Sequence, residues 1–395
     1  MGQLSYLCSM RILLDCRPLQ QEGADSERSH FIFSTVAALA RDKGVEWLFL
    51  SDPSLGPGSL PSLPGSSVIL HRCFPGAIGW RLWYDRVIPR QAKKHKADLL
   101  MLTGGISAAS GSVPQCLWMP EQADPAVGKD HLRLYPRRLR ESLRRAALVF
   151  CFSAADRYWL ADQQRVDKHL RDDADQQADP EKIISLSAWP AETAAPLSAD
   201  ERERIKQEYA AGKEYFLADA ATVDAEGIVQ LLKSFSLFKK RQLSNLQLVL
   251  TGQKPLPESE LNSRLETYKY RQDLHWYAET NAEIRLTGAA YALLFPFEKK
   301  TLGVPVLNAW AAEVPVIIGK ETGVTEWAGD GVLVADRKDP ASLAGHLMSV
   351  YKDEQLRRRL IEKGRSGVAA FDLQQSLALV WGHLTRIAPD TRVLG

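Results

Sequence analysis

The sequence predicts an α/β protein of two domains, each a parallel sheet with helices on both faces. Short, wholly apolar strand candidates recur along the chain and helical stretches lie between them. At 395 residues the chain also exceeds what one core organises. The first half opens with RILLDCRPL, a strand and its exit loop, followed by a helix over Phe31–Arg41 and a strand over Val45–Ser51. Asp52–Ser67 is rich in Pro, Gly and Ser and reads as a loop. Further strands are expected at Val68–Leu70, Asp98–Leu102, Gln115–Trp118, Leu148–Phe152 and Ile183–Leu186, with helices over Trp80–Lys94 and Arg137–Ala146 between them.

Residues 188–212 read as the link, with Pro190, Pro196 and a charged helix over Ala199–Tyr209. The second half starts at the strand Tyr215–Ala218 and continues through a helix over Gly227–Lys240 and a strand over Leu246–Thr251. A helix over Glu258–Tyr270, a strand over Leu274–Tyr277 and a helix around Asn281–Ala290 follow. After a strand at Ala292–Phe295 come strands over Val314–Gly319 and Ala328–Val334. Helices over Pro340–Lys352, Glu354–Lys363 and Phe371–Arg386 close the chain.

Composition narrows the function classes. With 45% hydrophobic and 25% charged residues and a net charge of +2, nothing favours general nucleic-acid binding. No run of apolar residues is long enough to span a bilayer. The opening MGQLSYLCSM lacks a basic segment leading into a long apolar run, so export is not expected, and Met10 is a candidate start. Five cysteines without CxxC spacing or a His cluster read as reduced, mostly buried thiols of a cytoplasmic protein, with no metal site.

The most informative stretch is FPFEKKTLGVPVLNAWAAEVP, Phe295–Pro315. It reads as a strand end, a turn and a buried helix, with Thr301 as the expected cap, Gly303 permitting close backbone approach, and Leu307, Trp310 and Ala311 giving an apolar stripe. Strand, tight turn and helix N-terminus together make an anion site from backbone N–H groups. This stretch resembles the signature segment of the family 4 glycosyltransferases, E-G-F-G-L-P-V-L-E. From Glu201 to about Leu384 the likeness continues through KEYFLADA, LLKSFSLFKKRQLSNLQLVLTG, WAGDGVLV and DPASLAGHLMSVYKDEQLRRRLIEKG. The first half resembles the family more loosely, at MRILLDCRPL, VPQCLWMPEQADP and LVFCFSAAD.

The resemblance implies two Rossmann-like domains facing a cleft, the GT-B architecture. It places an acceptor-type domain at 10–190, a nucleotide-sugar-type domain at 200–370 and a helix crossing back to the first domain at 371–388. It implies retaining, metal-independent transfer of a hexosyl group from a nucleotide sugar to a glycan or lipid-linked acceptor in polysaccharide biosynthesis. No cofactor is implied. The partners expected are the nucleotide sugar, the acceptor and, as a further candidate, a partner transferase. Localisation is expected to be cytoplasmic, with peripheral contact at the inner membrane face.

Four elements carry the family's chemistry, and this chain departs at each. In the Gly-rich loop after the first strand, QEGADSERSHF, Gly23 remains but Glu27 and Ser29 stand where a G-x-G pair is usual. Pro120-Glu121 replaces His-Asp at a strand end, making Glu121 a candidate catalytic carboxylate or an ordinary strand-end acid. Ala225 and Glu226 stand where an Arg/Lys pair neutralises the diphosphate. Lys300 and Asn308 replace the paired glutamates and are the remaining catalytic candidates; Glu298 is a candidate displaced acid. Donor-binding candidates are Gly23, Gly252, Lys299, Thr301, Leu302 and Gly303. Lys299 and Lys300 read either as solvated loop charges or as phosphate ligands that restore the charge lost at 225 and 226. Helix Arg137–Arg145, RRLRESLRR, reads as a basic solvated face or a lipid-facing one, while Trp80, Trp83 and Tyr84 read as packing residues or a sugar-stacking surface. The functional readings are therefore a transferase with a degenerate site, a catalytically inactive relative that binds a partner or a glycan end, and a nucleotide-sugar sensor.

Overall fold

Parallel pairing organises both halves of the chain. The computed structural model describes residues 10–22, 26–43, 45–55, 60, 63, 65–109, 112–120, 138–165, 180–220, 223–252, 258–278, 282–295, 302–320 and 322–388. The chain divides into two units, Met1–Ser187 with Leu373–Gly395, and Ala188–Asp372. In the first unit, β1 (Arg11–Asp15), β2 (Glu46–Ser51), β3 (Ser67–Leu70), β4 (Leu99–Leu102), β5 (Gln115–Trp118), β6 (Leu148–Cys151) and β7 (Ile183–Ser185) form one sheet in the order β3-β2-β1-β4-β5-β6-β7. Leu13 of β1 lies opposite Leu48 on one side and Leu100 on the other. β4, β5 and β6 are buried along their whole length, which is why their sequences are apolar without alternation. Helix Leu373–Ile387 belongs to this unit and packs against helix Glu27–Lys43 and β6.

The second unit repeats the pattern. β8 (Tyr215–Asp219), β9 (Gln247–Thr251), β10 (Leu274–Tyr277), β11 (Ala292–Phe295), β12 (Val316–Gly319) and β13 (Leu333–Ala335) pair in the order β10-β9-β8-β11-β12-β13. In each sheet the strand order reverses beside the first strand, at β1/β4 and at β8/β11. Such a switch point leaves a crevice beyond the carboxyl ends of the strands, where ligands of doubly wound sheets bind. The link helix Ala199–Tyr209 starts at a capping box. The Ser198 hydroxyl accepts from the Glu201 N–H, and the Glu201 carboxylate accepts from the Ser198 N–H.

Several local expectations are corrected. The exit from β1 is helical, Arg17–Glu22, and the next helix begins at Glu27 rather than Phe31. Glu27 and Ser29 therefore lie in a helix's first turn, so the expected loop shrinks. The helix expected over Trp80–Lys94 is three consecutive segments, Gly76–Leu82, a π-helical turn Trp83–Val87, and Ile88–His95. The wider turn brings Trp80, Trp83 and Tyr84 all inward, each 3% exposed or less. They are packing residues: Trp80 stacks on Tyr84 at 6.1 Å between ring centroids. The helix after β11 is capped by Gly303, not Thr301, and runs Val304–Ala311.

Trp310 seats that helix. Its indole N–H donates to the Gly331 carbonyl at 3.2 Å, and its ring meets Trp327 edge-on at 5.5 Å. Gly331, Gly364 and Gly367 are what make room for it: a Cβ at each would come within 2.8, 2.5 and 2.7 Å of the ring. Gly364→Ala is expected to destabilise the protein by about 1–3 kcal/mol through overpacking. Combined with Trp310→Phe it should cost less than the sum of the two single changes, since both act on one contact; chemical denaturation of all three variants measures this, and strict additivity would contradict it.

Candidate functional site

The carboxyl end of the second sheet carries the segment singled out by sequence. β11 ends at Phe295 and the chain re-enters the described structure at buried Leu302 and Gly303. Gly303 sits at φ 76°, in the left-handed region, where a Cβ would lie 2.6 Å from the Trp327 ring and 2.8 Å from Val324. Glycine is thus required twice, by conformation and by space. Val304 and Pro305 follow as the first helical residues, and proline there loses no hydrogen bond because its position needs no N–H. The helix therefore points its positive end out from the sheet's carboxyl edge.

Two of the expected site residues are engaged elsewhere. Gly252, at φ 85° after β9, donates its N–H to the Tyr277 carbonyl at 3.0 Å and accepts the Trp276 indole N–H at 2.9 Å, so it has no backbone donor to offer a phosphate. Asn308 accepts the Ala191 N–H on its Oδ1 at 2.8 Å and ties the link segment to the helix. The amide oxygen at this position is therefore already in use. Glu121, Lys299, Lys300, Thr301, Glu298 and Gly23 lie outside the described residues. Of the nominated residues, Leu302, Gly303, Gly252 and Asn308 share the carboxyl side of one sheet.

The neighbouring helix, Ala225–Gln242, opens on acidic residues. Asp224 caps it, its carboxylate accepting the Gly227 N–H at 2.7 Å, and exposed Glu226 follows in the first turn. The positive end of this helix is thus already compensated by acid from the chain itself. Arg337, just past β13, stands 3.5 Å from Asp224, and Lys320, just past β12, pairs with Asp336 at 2.6 Å. Both cations escaped the sequence reading, because a lone basic residue after a strand has no pattern. Each has an acidic partner, Asp224 for Arg337 and Asp336 for Lys320.

The first sheet's switch point holds a buried charged cluster that sequence did not reveal. Asp15, Arg17, Arg28 and Asp52 are each 4% exposed or less. Asp15 Oδ1 accepts the Trp83 indole N–H at 2.9 Å and the Arg17 N–H at 3.2 Å, while Oδ2 has no hydrogen-bond partner among the described residues. The Arg17 guanidinium lies 3.2 Å from Asp52, donates to the Phe74 carbonyl at 3.2 Å, and sits 4.1 Å over the Trp80 ring. Arg28 reaches the carboxyl ends of β4 and β5, donating to the carbonyls of Thr103, Trp118 and Met119. Burial holds the Cys16 and Cys116 thiols well above the usual range and pushes Cys151 up to about 12, so none of these three is a ready nucleophile. A pocket of about 490 Å³ at the opposite, amino-terminal ends of β5 and β6, lined by Ala108, Val113, Gln115, Arg145 and Ile387, lies away from this sheet's switch point.

Burial raises the Asp15 carboxyl to about 6, against the opposing pull of the Trp83 hydrogen bond and the nearby guanidinium groups. The folded state therefore holds this proton more tightly than the unfolded chain, whose carboxyl titrates near about 4. Its stabilising contribution is present at low pH and is lost as pH rises through about 6. The stability of the wild type relative to Asp15→Asn should fall by up to about 3 kcal/mol between about pH 4 and pH 7 and then level off. Denaturant titrations of both proteins across this range test the sign; a difference that rises with pH contradicts it.

Residues 200–367 match the family of glycosyl transferases group 1. The chain is 23% identical over 246 residues to the O-antigen chain mannosyltransferase B of Escherichia coli, a match spanning 62% of this chain and 61% of that protein. Among solved structures, WaaG, a glycosyltransferase involved in lipopolysaccharide biosynthesis, superposes with a TM-score of 0.69 at 15% identity, over 94% of this chain and 100% of its own. Anabaena Alr3699/HepE, solved in complex with UDP and glucose, gives 0.71 at 13% identity, over 95% and 100%. At such identities the structural likeness is one of fold.

Proposed function

We propose, from a chain whose residues 200–367 are a glycosyl transferases group 1 domain on a GT-B fold, that it transfers a sugar from a nucleotide-sugar donor to a glycan or lipid-linked acceptor in polysaccharide assembly, with a weakened grip on the donor. The observation that carries this reading is the Gly303-capped helix start at the β8/β11 switch point, inside the matched segment. A helix N-terminus beside a tight turn suits the negative charge of a nucleoside diphosphate. HepE's UDP and the mannosyl specificity named for the E. coli relative favour a hexosyl donor. The family resemblance adds retention at the anomeric carbon.

The weakened grip follows from Asp224 and Glu226. A lysine about 4 Å from a diphosphate gains roughly 4 kcal/mol at an effective dielectric of about 20, before desolvation, and a glutamate there reverses the sign. The same first turn favours a second reading, a catalytically inactive relative that holds a partner transferase or a glycan end. Calorimetric titration with UDP and GDP tests the proposal. The native chain should bind in the millimolar range, near about 4 kcal/mol, and Glu226→Lys should tighten binding at least about tenfold. Native micromolar affinity that is lost in Lys300→Ala would instead mean that the lysines after β11 replace the missing pair, and would sink the weakened-grip account.

A further inference from the structure

The connection from β3 to β4 is unlike the rest of the chain in charge. Residues 67–96 contain seven Lys or Arg and a single acid, Asp85, an excess of six positive charges in a protein whose total is +2. Asp85 is itself held by Arg81 and Arg138. Arg72, Arg86, Arg90, Lys93 and Lys94 are exposed and have no ion-pair partner among the described residues. The same segment displays large apolar side chains to water. Leu70 is 65% exposed, Phe74 69% and Ile78 73%, and Val68 joins them on the outward side of β3.

Sheet and helix geometry places these on one outer surface. β3 is the edge strand of its sheet, with Val68 and Leu70 alternating against buried Ile69. Along the helical segments that follow, Trp80, Trp83, Tyr84, Val87, Ile88 and Ala92 face the core, which turns Ile78, Arg81, Arg86, Arg90, Lys93 and Lys94 outward. The apolar residues are firmly presented. The Phe74 carbonyl is bound by buried Arg17, and Gly79 lets the helix close onto that carbonyl, where a Cβ would fall 1.6 Å away. Exposing Phe74 and Ile78 on such a braced turn carries a solvation cost that no contact among the described residues offsets.

We infer that this surface docks the protein on an anionic phospholipid bilayer, with Leu70, Phe74 and Ile78 entering the headgroup boundary and the Arg72–Lys94 cations meeting the lipid charge. Exposed apolar residues flanked by exposed cations match the two terms that hold a protein on a membrane surface. The alternative basic element, helix 138–145, fits less well: Arg138 is taken up by Asp85, and Arg145 by Glu141 and the Ala109 carbonyl. This docking does not require the chain to turn over a nucleotide sugar.

Sedimentation of the full chain with phosphatidylcholine vesicles, with and without phosphatidylglycerol, tests the inference. Binding is expected only to the anionic vesicles and should fall as salt rises. Phe74→Ser with Ile78→Ser, and separately Arg86→Glu with Arg90→Glu, should each weaken partitioning at least about tenfold, since one basic residue near the surface contributes about fivefold. All four side chains are exposed, so both variants should melt as the native protein does and bind UDP unchanged. Equal binding to neutral vesicles, no binding to anionic ones at low salt, or variants that partition like the native chain would overturn it. So would self-association without lipid that both variants abolish, which would assign the surface to a second copy.

Discussion

The candidate site depends on one packing constraint, the seat of Trp310. The helix that begins at Gly303 is eight residues long, too short to be stable on its own. Its position is set by burying Trp310 among glycines from two later segments, with Trp327 closing the other side and continuing to Phe371 at 4.8 Å. Trp327 also forbids a side chain at 303. One aromatic pair thus fixes both the helix and the backbone conformation that opens it.

Charge separates the two sheets. At the carboxyl edge of the second, Asp224 and Glu226 occupy a helix start, and among the described residues Arg337 and Lys320 are paired with acids. At the corresponding edge of the first, charges are buried and bonded to strand ends. Arg28 is bound to three carbonyls and Arg17 lies between Asp52 and an indole face. Such a cluster braces β1, β4 and β5 at their ends, and through Phe74 it also braces the surface beside β3. Buried pairs of this kind contribute little net stability but are costly to break by halves.

Much of the fold was legible because its signals are local. Apolar runs such as LLML and VIIG announce strands buried on both faces, and the S-A-D-E box announces the link helix. The site was less so, because its bonds join residues far apart in sequence. Asn308 and Ala191 are 117 positions apart, and Arg28 finds its acceptors 75 and more residues away. Asp15, Arg17 and Asp52 looked like ordinary polar residues at strand ends, since nothing in the sequence marks them as buried. The cap was misplaced for a related reason: Thr301 has the better capping side chain, but space beside Trp327 selects Gly303.

Sugar transfer itself is tested most directly by release of nucleoside diphosphate. The native chain, given UDP- and GDP-hexoses with a lipopolysaccharide-type glycan acceptor, should release diphosphate slowly, faster with acceptor than without, and Glu226→Lys should accelerate release at sub-saturating donor. No release from any donor by either protein, with the nucleotide bound all the same, would contradict transfer and leave the binding role.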